Sequence, residues 1–290
     1  MTVLLLTAIV MLAFAGNSIL TRIALDAALI DPASFAVVRL LSATVVLILL
    51  LPSPPSARDG HPNRLITWLS ALSLFSYVMF FSFAYVSLSA GFGALVLFGS
   101  VQLTMIGYSY LKGEKFSPIQ WFGFGLTIIG TIMLYLPSLS FDGALSSIIM
   151  MSLAGLAWGL FSIIGTRQQA QPLYTSQIFT KAAPFSLALL AATILSSTEL
   201  LTIKGLLLAL SCGVLTTGLG YSLWYLVLKQ LSAGSAAVSQ LSVPVITMMI
   251  GNLFLGENLS NEMLSSSCLI LIGLALFMLA KYHQQSLVKH

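Results

Sequence analysis

The chain has 290 residues, of which 58% are hydrophobic and 7% charged, with a mean hydropathy of +1.01 and a net charge of +4. Soluble domains carry about 25% charged residues, so the composition excludes a soluble globular protein and describes an integral membrane protein. Ten helices of roughly 20 apolar residues with short joints use the whole length, so basic residues mark loop location rather than a nucleic-acid partner.

Apolar runs separated by polar residues, Pro and Gly predict spans at 3–24, 33–51, 65–87, 90–111, 118–136, 143–165, 174–195, 205–228, 233–255 and 263–281. The first run contains Ala13-Phe14-Ala15, which resembles a cleavage site, but no Lys or Arg precedes it, so an uncleaved first span is expected. Pro32 stands at the first turn of the second span, where its missing N–H costs nothing. Pro52, Pro54, Pro55 and Gly60 define the longest loop. A Leu88-Ser89-Ala90-Gly91 turn joins the third and fourth spans, with Ser89 placed to cap the new helix. Pro118 opens the fifth span, whereas Pro184 and Pro244 lie within the seventh and ninth and predict kinks. Cys212 and Cys268 fall in separate apolar runs and read as packing residues, with no metal-site spacing.

A single offset of 143 residues links the halves. It carries Leu88-Ser89-Ala90-Gly91 onto Leu231-Ser232-Ala233-Gly234, Gly113-Glu114 onto Gly256-Glu257, Ser117 onto Ser260, and Gly16 onto Gly159. Two repeats are expected, at 1–137 and 142–282, followed by a short tail at 283–290. With a cytoplasmic N-terminus, Arg58, Arg64, Lys112, Lys115, Arg167, Lys229, Lys281 and Lys289 lie inside, against Arg22 and Lys204 outside, so both termini are expected in the cytoplasm. Five spans per half is an odd number, which inverts the second copy. Inverted repeats pack in two mirror-like ways around a central cavity, which is the logic of alternating access.

The ten-span plan, the two Gly-Glu pairs, the Leu-Ser-Ala-Gly turns and Ala157-Trp158-Gly159 resemble the drug/metabolite transporter superfamily, specifically its EamA-type exporters. The resemblance covers essentially the whole chain. It implies a bacterial inner-membrane permease with a cavity lined by spans one, three, four, six, eight and nine. The first span departs from the pattern, with Phe14-Ala15-Gly16-Asn17 where such families often have Trp-Gly, so a ring expected on the cavity is displaced or absent.

The residues themselves nominate a site. Asn17, Gln102 and Gln240 carry primary amides that lipid cannot satisfy, so they should face the bundle interior. Tyr77, Phe81 and Tyr85 share one face of the third span, and Trp158, Tyr221 and Trp224 add rings, giving walls suited to an amphipathic solute. Arg39 and Lys181 are intramembrane cations near opposite surfaces, read either as attracting an anionic solute at the two cavity mouths or as snorkelling to the interface. No Asp, Glu or His falls at mid-membrane, which disfavours a buried proton carrier. For Glu114 and Glu257, helix-end contacts are favoured over a coupling role.

An intramembrane enzyme would need a nucleophile with His, an aspartate pair or HExxH in the spans, and a docking scaffold would need a larger loop or tail. The chain has none of these. The expectation is therefore an all-α membrane protein that moves a small metabolite by uniport or exchange, with proton-coupled multidrug efflux as the alternative. Its surroundings are the bilayer, its state monomer or homodimer, and no cofactor or metal is called for.

Overall fold

The computed structural model describes residues 2–50, 64–136, 144–167, 172–195, 200–228, 230–231 and 239–287. These form α1 (Thr2–Asp26), α2 (Pro32–Leu50), α3 (Arg64–Ala84), α4 (Ala90–Leu111), α5 (Pro118–Tyr135), α6 (Ala144–Arg167) and α7 (Pro172–Leu195). The element α8 is a continuous run of α-helix Ile203–Ser211, π-helix Cys212–Leu219 and α-helix Gly220–Leu228, and α9 (Ser242–Leu255) and α10 (Asn261–Leu287) complete the chain. Among the described residues, nine helices are long and apolar enough to cross a membrane, and Ser242–Leu255 is a shorter apolar helix. This is a multi-pass membrane protein. Exposed Leu, Ile and Phe on α5, α9 and α10 cover its outer surface, as expected where the surrounding solvent is lipid.

Helix ends follow local chemistry. The Ser89 hydroxyl accepts from the Phe92 amide, and Ser117 and Gln120 form a reciprocal capping box ahead of Pro118. Gly113 and Gly256 both adopt the left-handed conformation, φ +82° and +66°, and stop α4 and α9. Ser232, the counterpart of the Ser89 cap, and the Pro52–Gly60 loop lie outside the described residues. Pro244 stands in the first turn of α9, just after a break at Leu241 that separates this helix from the helical residues 239–240. Pro184 does lie inside α7. Residues 283–287, expected as tail, continue α10.

Glycines set the close crossings. A Cβ on Gly155 or Gly159 of α6 would stand 2.5 Å from Ser100 Cβ or 2.8 Å from Thr104 Cβ, so α6 runs parallel to α4 in tight contact. Gly123 and Gly273 bring α5 and α10 together with opposite directions, because Gly130 meets Ile270. Gly91 meets Met248 while Gly251 meets Ala90, which sets α9 antiparallel to α4. In the same way Gly213 and Gly218 of α8 approach Arg39 and Val46 of α2, so those two run parallel. Other neighbours include α2 with α3 and α7, α3 with α6 and α7, and α1 with α4, α8 and α9.

Several joints meet at one end of the bundle. Ile30 and Leu201 pair as an antiparallel bridge, with Asp31 N–H donating to Leu200 O at 2.8 Å and Thr202 N–H donating to Leu29 O at 3.0 Å. At the same end Arg22 pairs with Asp26 at 2.7 Å, approaches Glu257 at 3.6 Å and donates to the carbonyls of Tyr85 and Val86, both at 3.2 Å. Glu257 accepts the Ala90 amide at 2.7 Å and the Gly91 amide at 3.4 Å, so a carboxylate sits on the positive N-terminus of α4. The expected helix-end role of Glu257 takes this form, with Arg22 as its cation.

Candidate functional site

A small pocket opens between α1, α3, α4, α6 and α8. Its polar positions are Asn17 and Ser18 of α1, Gln240 ahead of α9, and the tyrosines Tyr77 and Tyr221. Its apolar wall is built by Phe14, Phe81, Trp158 and Phe98, with Leu97 and Val101 of α4.

The wall is a connected set of rings. Trp158 lies 4.8 Å from Tyr77, 5.5 Å from Tyr221 and 5.1 Å from Phe161 between centroids, and Tyr77 lies 5.4 Å from Phe81. These tilted and edge contacts are the arrangement ring quadrupoles prefer. Phe14 stands 5.8 Å from Tyr221, so the ring expected in the first span is displaced by one position from the Trp-Gly pattern and still reaches the pocket.

The polar corner depends on the π-helical segment. In an α-helix, neighbouring residues such as Thr216 and Thr217 point about 100° apart and do not share a partner. In the wider turn, where the Gly220 amide reaches back to Leu215 O, both hydroxyls donate to Asn17 Oδ1, at 2.6 and 3.1 Å. Thr217 also accepts from Arg39 Nε at 3.1 Å. Cys212, fully buried as a packing residue, lies 3.5 Å from the same amide oxygen. Cys268 instead is exposed on α10, a correction to its expected packing role.

Arg39 departs from both sequence readings of its position. It is 0% exposed, so it neither snorkels nor stands at a mouth. Its guanidinium carbon lies 4.9 Å from the Phe81 ring centroid and 5.5 Å from that of Tyr77, and its Nη2 donates to the Tyr77 hydroxyl at 3.3 Å. Lys181 is half-buried on α7 with its Nζ 5.8 Å from the Trp68 ring, away from the pocket. The two cations, nominated as a symmetric pair, therefore have different surroundings.

The pocket unites Asn17, Tyr77, Phe81, Trp158, Tyr221 and Gln240, but not the other two nominated residues. Gln102 is buried on α4, 9% exposed, outside the lining. Trp224 is one turn past Tyr221 and packs on Phe14 at 5.9 Å in a separate apolar cluster with Val10, Met11 and Val243. Tyr85, on the Tyr77 face, leaves the wall to donate to Ala90 O at 3.1 Å and fills the space beside Gly93. Thr216, Thr217 and the π-helix were not nominated from the sequence. The only signal was the run of Gly213, Thr216, Thr217, Gly218 and Gly220 within an otherwise apolar span. Among the described residues no group of His, Cys, Asp and Glu is arranged to hold a metal ion.

Comparison with known proteins places this architecture. An uncharacterized protein of Pseudomonas aeruginosa is 42% identical over 281 residues, covering 95% of this chain and 94% of that protein. A probable amino-acid metabolite efflux pump of Salmonella typhimurium is 27% identical over 64% of this chain and 66% of its own length. A solved crystal structure superposes with a TM-score of 0.67 at 15% identity over 97% of this chain and 99% of that one, a likeness of fold. The profile of the EamA-like transporter family matches residues 1–136 and 145–279. The chain belongs to the EamA-like transporter family.

Proposed function

We propose that this protein is a secondary transporter that moves a small amphipathic metabolite, such as an amino acid or a derivative, out across a bacterial inner membrane by alternating access. It works as a uniporter or an exchanger. The observation that carries this reading is the pocket, where the Asn17 corner and Gln240 face a wall of rings, matching a solute with one polar and one apolar part. The outward direction and the amino-acid class are supported by the name of the Salmonella relative.

Alternating access through inverted repeats is supported by helix direction. The counterparts α4 and α9 run antiparallel, as do α5 and α10. Neighbours also come in matched sets: α1 packs on α8 and α9 as α6 packs on α3 and α4. Two such units can rock about the pocket. In this reading the termini are cytoplasmic, and the Arg22–Glu257 contacts on the α4 N-terminus close the periplasmic mouth.

Counterflow of labelled amino acids in proteoliposomes tests the proposal. Saturable exchange is expected, with strong loss in Trp158→Ala and Gln240→Leu and little loss in Gln102→Leu, which lies off the pocket. The reading fails if no solute exchanges faster than in protein-free liposomes. Flux driven by an imposed pH gradient would favour the proton-coupled multidrug alternative.

A further inference from the structure

Arg39 is the one charged side chain among the buried described residues, and its partners are all neutral: Thr217, the Tyr77 hydroxyl and the faces of Tyr77 and Phe81. Its Nη1 has no hydrogen-bond partner. Guanidinium stays protonated in proteins, and a buried cation without a counter-charge costs several kcal/mol. Such a group needs a reason.

Its position supplies one. Tyr77, Phe81 and Asn17 line the pocket, and Arg39 stands one side chain behind them, touching the two rings directly and Asn17 through Thr217. Nε is held by Thr217 at 3.1 Å, whereas the Nη1–Nη2 edge of the fork has a vacant Nη1 and an Nη2 loosely held at 3.3 Å. That edge matches the two oxygens of a carboxylate, which can accept two parallel N–H bonds. The Tyr77 hydroxyl only accepts in this contact, so its own hydrogen is available to the same anion.

We propose that Arg39 is the receptor for the anionic group of the transported solute, and that the substrate class is a small carboxylate with an apolar or aromatic body. The inference rests on the transport reading above and deepens it. The solute supplies the missing counter-charge of the bundle, so the loaded site is neutral while the empty site bears an unpaired cation. Loading is then what relieves the buried charge, and this favours exchange over return of the empty carrier.

Thermal unfolding of the purified full chain, titrated with hydrocinnamate and with its neutral amide at constant ionic strength, tests the assignment. The carboxylate should raise Tm in a saturable way and the amide should not. In Arg39→Gln the carboxylate shift should vanish, and in Arg39→Lys, which keeps charge without the fork, apparent affinity should fall by roughly tenfold or more. Equal binding of amide and carboxylate to the wild type, unchanged carboxylate affinity in Arg39→Gln, or the same stabilisation by chloride alone would overturn it. If Arg39→Gln does not fold, the wild-type carboxylate and amide pair decides. Amide flux equal to carboxylate flux in proteoliposomes would overturn the anion site and leave the transport reading standing. Carboxylate binding without any flux would keep the anion site and sink the transport reading.

Discussion

The Gly-Glu turn occurs twice in this chain and meets two different environments. Gly113 and Gly256 have the same left-handed backbone, and a Cβ on either would find nothing within 4 Å. The glutamates that follow diverge. Glu114 is exposed, while Glu257 lies against the α4 N-terminus and Arg22 and ties α1, α4 and α9 together. The offset that maps one turn onto the other carries Arg22 onto Gly165 and Asp26 onto Gln169, so the residues equivalent to the Arg22–Asp26 pair are uncharged. A repeated turn thus repeats its backbone, while the Arg22–Asp26 pair beside it is not repeated.

The largest effect expected from this difference is in the glutamates. Glu257→Ala removes the second carboxylate beside Arg22, which keeps Asp26, and uncovers two helix-end amides, which should cost about 1–3 kcal/mol in denaturant unfolding in micelles. Glu114→Ala should stay within about 0.5 kcal/mol. Equal losses would break the comparison. In the transport reading Glu257→Ala should also loosen the periplasmic mouth, seen as faster labelling of a cysteine introduced at Ser18 from that side, and unchanged labelling would remove the gate.

The glycines should behave alike. Gly113→Ala and Gly256→Ala each force a left-handed alanine with no clash, so each should lose about 1 kcal/mol in the same assay. A much larger loss at Gly256 would mean that the turn and the Glu257 contact are coupled, and a double-mutant cycle with Glu257→Ala would measure this. The smallest effect is expected at Ser89→Ala, about 0.5 kcal/mol, because Glu257 already covers the neighbouring α4 amides. If that loss grows to about 1 kcal/mol in a Glu257→Ala background, the two caps share the same helix end.

The site was partly legible for a related reason. Asn17 and Gln240 could be placed inside the bundle because an amide has no partner in lipid, whatever the fold. Gln102 obeyed the same rule and is buried, yet burial does not say which interior surface a residue faces. Trp224 failed as a wall residue because one turn of α8 carried it past the pocket into the Val10–Met11 cluster. Arg39 was misplaced because depth was counted from the nearest helix end, which sets distance along the axis but not whether the stem points to lipid or to Phe81.

From the residues alone came the membrane class, the first eight helix positions to within a few residues, the cap at Ser89 and the helix start at Pro118. Each depends on hydropathy over one span or on bonds within one turn, and such local terms are complete in a short stretch of sequence. The tertiary structure decided which side chains meet. It chose the π-helical turn that aims Thr216 and Thr217 at one amide, buried Arg39 without a counter-charge, and gave Glu257 a helix end to hold. Those outcomes depend on residues up to 200 positions apart, brought together by glycine-mediated helix crossings, and no local preference encodes them.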